Sequence, residues 1–249
     1  MILRGWNGLA GAPTSAWLTA IEAGEALGHV VEPPRPEGVD GGLWRRAGAL
    51  ARLALSVGLP LLPQEPTILL WACGLGELDA TGRFLGRLAE EGPGQLSAAA
   101  FQASLPSTAG AILSIAAEHR APGRIASVET FAGRGAGGAA LLRVETLLAL
   151  GACEAVLIVG AEAPHAVLQA AGAALPGGVA AALLFTPGGA GPRVTIEEGS
   201  PSLRPGAAFG EVGVGALIGV VALAEAGRGG AVAEVGVGGA LCARVAFAP

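Results

Sequence analysis

The sequence predicts a layered α/β fold, with helices on both faces of a largely parallel sheet. Three observations carry this expectation. Segments patterned as strands alternate with segments of helical periodicity along the chain. The run Ala155 to Val159 is continuously apolar, as befits a parallel strand covered on both faces. Between Phe101 and Glu162 the chain reads as helix, strand, Gly-rich turn, long helix and strand. A strand feeding a helix through such an elbow is where many α/β enzymes seat a nucleophile.

In order, Ile2-Leu3 opens a short strand. Thr14 or Ser15 is placed to cap a helix through Ala26, apolar at Trp17, Leu18 and Ile21, with Gly28 as its stop. Glu32 to Gly42 is a Pro/Gly-rich connector. Leu43 to Val57 is amphipathic: Leu43, Ala47, Leu50, Ala54 and Val57 share a face, and Arg45, Arg46 and Arg52 wet the remainder. Thr67 to Cys73 is an apolar strand, and Gly74-Leu75-Gly76 turns into a helix from about Asp79 to Glu90. Ser107 or Thr108 is placed to cap the next helix, whose Ala109, Ile112, Leu113 and Ala116 recur at helical spacing. Ile125 to Phe131 alternates and carries β-branched residues, so it reads as a strand. Ala136 to Leu150 aligns Leu141, Val144 and Leu148 on one face and stops at Gly151. Ala180 to Phe185 and Val194 to Ile196 are strands, and Val214 to Glu225 is a Gly-rich helix. Ala231 to Val235 and Leu241 to Phe247 close the chain as strands expected to pair antiparallel at an edge. No repeat recurs, which excludes a solenoid.

Composition narrows the function classes. The chain has 249 residues, 52% apolar and only 14% charged, enough for one large domain or two small ones with an ample core. So few charges cover an outer surface poorly, and an interface with another subunit would use the apolar excess. Compositional drift is the competing reading, since all 15 basic residues are Arg and Tyr is absent, as in a GC-rich coding sequence. A net charge of −5, with no basic cluster beyond Arg45-Arg46, argues against nucleic-acid binding. No basic region precedes an apolar one at the start, so no signal peptide is expected. Val212 to Ala224 is too short to span a bilayer. Cys73, Cys153 and Cys242 lack metal-ligand spacing, so free thiols, a reducing cytoplasm and no metal are expected.

The elbow itself is Phe131-Ala132-Gly133-Arg134-Gly135-Ala136-Gly137-Gly138, with no Ser, Cys, Thr or His. It has the frame of a catalytic turn and no nucleophile.

These residues bring out a resemblance. Phe101 to Glu162 resembles the centre of a β-ketoacyl synthase of thiolase fold. In that family an apolar helix, a strand ending in Asp-Thr-Ala-Cys, a long helix and a strand ending in Val-Gly-Gly-Ala-Glu follow one another. Here Val128-Glu129-Thr130 stands where the first strand ends, and Val159-Gly160-Ala161-Glu162 matches the later signature. Either Ala132 or Arg134, depending on the alignment, occupies the position of the family's cysteine. The pattern is similar to that of short ketosynthase-like subunits known as chain length factors, including those of aryl-polyene clusters. It includes Leu43-Trp44-Arg45-Arg46 with Ala51-Arg52-Leu53-Ala54-Leu55, then Gly76-Glu77, and then Ser97, Phe101 and Ser104. The group's Ser-Val-His-Asn step is Ser104-Leu105-Pro106-Ser107 here, a departure. The match is best over residues 45–185. Phe209 to Ala216, with Glu211 where the synthases have His, and Val235 to Ala240 resemble later synthase turns.

The resemblance implies a compact thiolase-like domain over residues 1–249, a catalytic ketosynthase as heterodimer partner and an acyl carrier protein. No cofactor is implied on this chain, phosphopantetheine being carried by the acyl carrier protein. Ile125 to Thr130 and Ala109 to Ala117 would form much of the seam, and Phe101, Ser104, Thr130, Phe131, Ala132 and Arg134 would lie at tunnel or interface. Decarboxylative condensation needs a thiolate and two polarising side chains, His with His or with Asn. His29, His119 and His165 lack the family's context and read as surface or capping residues. Cys73 ends a strand without a cationic neighbour and reads first as an inert buried thiol. Arg134, near a helix N-terminus, reads as a ligand for a phosphate or seam carboxylate, or simply as a solvated elbow residue. Phe101 and Phe131 serve equally as tunnel plugs or as packing. The expected function is a non-catalytic chain length factor. The alternatives are an acyltransferase with a remodelled site at Cys73 or Glu211, and a scaffold that kept only the fold.

Overall fold

The computed structural model describes residues 1–28, 30, 32–163, 165–166, 178–199, 202–203, 213–234 and 241–247. His29, Glu211, the segment from Phe209 to Val212 and the turn Val235 to Ala240 lie outside them.

Eight strands form one sheet: β1 (Ile2–Leu9), β2 (Thr67–Cys73), β3 (Ile125–Ala132), β4 (Ala155–Glu162), β5 (Val179–Thr186), β6 (Arg193–Glu198), β7 (Gly230–Glu234) and β8 (Leu241–Ala246). Their spatial order is β3-β2-β4-β5-β1-β6-β8-β7. The layered α/β class is as expected, but the sheet is mixed rather than largely parallel. Among the described strands only the pairs β2–β3 and β2–β4 are parallel. The pairs β4–β5, β5–β1, β1–β6, β6–β8 and β8–β7 are antiparallel. Each parallel pair needs a crossover long enough for a helix. The chain supplies these between β2 and β4, whereas β5 and β6, joined by residues 187–192, lie on either side of β1 and both pair antiparallel with it. The closing strands pair antiparallel at an edge, as their patterning suggested.

Among the described residues the α-helices are α1 (Trp17–Ala23), α2 (Gly41–Arg46), α3 (Ala49–Gly58), α4 (Leu78–Glu91), α5 (Ala98–Ala103), α6 (Thr108–Arg120), α7 (Ala136–Ala149) and α8 (Gly215–Glu225). β2 shows how they layer. Ile68, Leu70 and Ala72 pack with α1, α7 and α8. Leu69, Trp71 and Cys73 face the opposite way, onto α3 and α6. Because both faces are covered, every residue of β2 and β4 is buried, which is why these strands are continuous apolar runs. β3 is a sheet edge, and most of its residues remain exposed.

Some boundaries differ from the sequence reading. The first helix ends at Gly24, whose φ of 69° stops it before Gly28. The amphipathic stretch Leu43 to Val57 is broken between α2 and α3, where Ala47 is extended. Asp40 caps α2 by accepting the Leu43 N–H at 2.8 Å. Glu77, far along the chain, accepts the Leu50 N–H at 3.2 Å and so caps α3. α5 forms on its own cap, Ser97 Oγ accepting the Ala100 N–H at 3.1 Å. Neither α4 nor α5 buries a side chain; the pair stands out from the body as a hairpin.

Candidate functional site

The carboxyl ends of β2, β3 and β4 meet the turn that opens α8, and the predicted elbow lies among them. Ala132, the last residue of β3, pairs with Cys73 of β2. Gly133 and Gly135 have φ of 98° and 80°, which an L side chain resists. The Gly133 N–H donates to the carbonyls of Cys73 and Gly74, both at 3.0 Å, tying the elbow to the exit of β2. The Gly137 N–H donates to the Gly213 carbonyl at 2.6 Å. A Cβ on Gly213 would lie 2.7 Å from the Gly133 carbonyl oxygen, so a side chain there cannot be accommodated.

Glu162, ending β4, is the charge at the centre of this knot and is only 1% exposed. Its carboxylate accepts N–H donors from Gly74 and, at 3.5 Å, from Leu75. Burial pushes this carboxyl up to about 7, against the pull of the Gly74, Leu75 and Gly213 N–H groups. Cys73 lies close by. Burial first, then the Glu162 charge, push its thiol up to about 12, and its Sγ sits 3.8 Å from the Pro106 carbonyl oxygen. At neutral pH Cys73 is a protonated, inert thiol.

The other predicted residues are spread around this end of the molecule. Ala132 is exposed at the end of β3, and Arg134 is exposed in the elbow turn. Neither supplies a nucleophile. Thr130 is exposed on β3, while Phe131 is half-buried against the core beneath α7 and α8. Phe101 is exposed on α5, its ring 5.7 Å from that of Phe84 on α4. Ser104 closes α5: its hydroxyl donates to the Phe101 carbonyl at 2.7 Å, and its own carbonyl accepts the Thr81 hydroxyl at 2.9 Å. The elbow and the α4–α5 hairpin are therefore separate features, linked through Pro106, whose carbonyl also accepts the Trp71 indole N–H at 2.8 Å.

Of the histidines, His119 is exposed at the end of α6, as expected. His165 is a correction. It is buried rather than superficial, and burial pushes its imidazole down while the Asp79 charge pulls it back. Asp79 Oδ2 accepts the Ala166 N–H at 3.1 Å, whereas Asp79 Oδ1 and His165 Nε2 have no partner among the described residues. Sequence reasoning missed this pair, the Glu77 cap and the role of Glu162. The signal for Glu162 was available: a carboxylate ending a strand buried on both faces must find donors at the strand's end. Among the described residues no group of three His, Cys, Asp or Glu is placed to hold a metal ion, and no helix is long and apolar enough to cross a membrane.

The order β3-β2-β4-β5-β1, with a Gly-rich elbow entering α7, is that of a thiolase-like fold, and its elbow lacks a nucleophile. The model of the β-ketoacyl synthase N-terminal domain matches residues 31–207, well over half the chain. This protein belongs to the β-ketoacyl synthase family. No curated protein sequence matches it. Among solved structures it is similar to a chain of the ketosynthase ApeO in complex with its chain length factor ApeC from Xenorhabdus doucetiae, with 19% identity, a TM-score of 0.72 and 99% of both chains covered. A chain of the ishigamide ketosynthase/chain length factor gives 15%, 0.71 and 99% of both. One of the AntDE:AntF complex, a type II polyketide synthase acyl carrier protein with its ketosynthase, gives 12%, 0.71, and 100% of this chain with 99% of that one. At these identities the likeness is one of fold.

Proposed function

We propose that this chain is a chain length factor, the non-catalytic partner of a β-ketoacyl synthase in polyketide or polyene chain elongation. One observation carries the reading: the family's elbow is built in full, yet it holds Ala132 and Arg134 where a cysteine is needed, and the nearest thiol, Cys73, is locked in its protonated form. The partner supplies the thiolate and its polarising side chains. The acyl chain arrives on the phosphopantetheine of an acyl carrier protein, and this chain, acting as one cytoplasmic domain over residues 1–249, binds no cofactor of its own.

Three features support a seam along β3 and α6. β3 is an uncovered sheet edge. Val128 on β3 is 38% exposed, and Ile115 on α6 and Leu142 on α7 are 47% and 39% exposed. The α4–α5 hairpin buries no side chain of its own, so its ordering calls for a covering surface. In this reading Thr130, Phe131, Ala132 and Arg134 line the partner side of the elbow, and Phe101 and Ser104 bound the tunnel on the hairpin side.

The test is co-expression with a ketosynthase encoded nearby, with the tag on this chain only, followed by mass analysis of the eluted complex. A stable one-to-one complex, or its dimer, is expected, and condensation should require the partner. Condensing activity from this chain purified alone sinks the reading. A stable chain that takes no ketosynthase partner favours a scaffold.

A further inference from the structure

His165 follows the exit of β4 and is only 2% exposed, yet its Nε2 has no hydrogen-bond partner among the described residues. Asp79 lies in the first turn of α4. Its Oδ2 accepts the Ala166 N–H at 3.1 Å, while its Oδ1, also buried, has no partner among them. An unpaired buried polar atom costs free energy, so two of them at one contact call for a reason.

The contact sits at the root of the α4–α5 hairpin, neither helix of which places a residue in the hydrophobic core. At the start of α4 two carboxylates hold it to the body. Glu77 accepts the Leu50 N–H at 3.2 Å, and Asp79 accepts that of Ala166. The charged groups on the elements that meet here are Glu77 before α4, Asp79 and Arg83 on α4, and Glu162 on β4. No residue from 163 to 178 other than His165 carries a titratable side chain. Burial pushes the His165 imidazole below its ordinary 6.5, and the charge of Asp79, the one described group that reaches it, pulls it back only in part. Arg83 acts on Glu77 instead.

A neutral ring is therefore the form this contact is built around. A proton on His165 puts a positive charge in a closed pocket beside one carboxylate, itself already engaged by Ala166. The desolvation penalty there exceeds the attraction. The charged ring gains most by reaching water, which parts Ala166 from Asp79.

We propose that His165 and Asp79 form a proton-operated latch for the α4–α5 hairpin: closed while His165 is neutral, and released when acid charges the ring, freeing the start of α4 from the exit of β4. The latch lies within this chain and is independent of a ketosynthase partner. Release begins as pH falls below 6.5, where the open form takes the proton first, and levels off below the titration point of the closed form.

NMR-detected hydrogen exchange of the full chain from pH 5 to 7.5, corrected for its intrinsic pH dependence, reads the latch directly. The Ala166 amide and the first turns of α4 should open at least about threefold more readily at pH 5.5 than at pH 7.5. Amides of β2, buried throughout, report any change in the whole fold. H165Q cannot take the charge and should lose the extra opening, while Glu77 and Glu162 still titrate in it as background. D79N keeps an oxygen for the Ala166 N–H but not the charge, so its His165 ring should titrate lower still. A hold that is unchanged or tighter in acid, or the same pH dependence in wild type and H165Q, overturns the proposal. If H165Q fails to fold, the wild-type ring titration decides, since only His29, His119 and His165 contribute imidazole signals. A His165 ring that titrates at or above 6.5 then overturns it.

Discussion

Glu162 is a carboxylate in a place that favours its neutral form. Its folded-state carboxyl is raised from the ordinary 4.5 to about 7 because burial penalises the charge more than three backbone donors relieve it. Between those values the folded chain binds this proton and the unfolded chain does not, so stability falls as pH rises through the window and levels off above it. The ceiling is about 3 kcal/mol, at about 1.4 kcal/mol per unit. Denaturation midpoints of wild type and E162Q from pH 4 to 8 read this directly: the wild-type curve should decline more steeply toward pH 7, and parallel curves would refute the assignment. Cys73 behaves oppositely in function and similarly in cause. With its thiol pushed up to about 12, it should resist iodoacetamide at pH 8 until the chain unfolds, and C73A should leave condensation by the ketosynthase complex unchanged. Rapid alkylation of the native protein at Cys73 would show a thiolate the packing does not allow. Glu162 was legible in the sequence as a family-like signature residue, but its partners at Gly74 and Leu75 are 88 and 87 positions away, and no local pattern announces them.

Elements were legible wherever local chemistry alone decided them. β2 coincides with its predicted span because six consecutive apolar residues after Thr67, set between turn formers, admit little else. The division of Leu43 to Val57 into α2 and α3 was not legible, since its apolar spacing is continuous across Ala47 and Gly48. What divides it is tertiary. Glu77 reaches across from the turn after β2 to the α3 N-terminus, satisfying a donor that would otherwise be buried without a partner. Removing that acceptor in E77A should cost about 1–2 kcal/mol, the range of a lost helix cap. E77Q, which keeps an acceptor oxygen, should lose less. Urea denaturation distinguishes the two, and equal losses would mean that Glu77 acts through its charge rather than as a cap. The same distinction explains the sheet. The apolar runs of β4 and β5 announce burial on both faces, but burial does not encode strand direction, and antiparallel β5 reads like a parallel strand.

At the scale of the whole molecule, the apolar excess of the sequence and the surface of the fold describe one fact. The body is closed on two faces of the sheet, yet β3 at one edge and the α4–α5 hairpin remain uncovered and carry Val128, Leu85 and Phe101 to the solvent. The sequence made the shortage of charge visible; only the strand order shows where it falls, because β3 is the third strand along the chain yet the first in the sheet. This locates what a partner must change. In the isolated chain, amides of α4 and α5 should exchange with deuterium quickly, since neither helix places a residue in the hydrophobic core, whereas β2 and β4, buried throughout, should be protected. Binding a ketosynthase should slow exchange along α4, α5 and β3 by at least tenfold and leave β2 and β4 as they were. Protection that instead fell on the β7 edge, with β3 unchanged, would move the seam to the opposite end of the sheet.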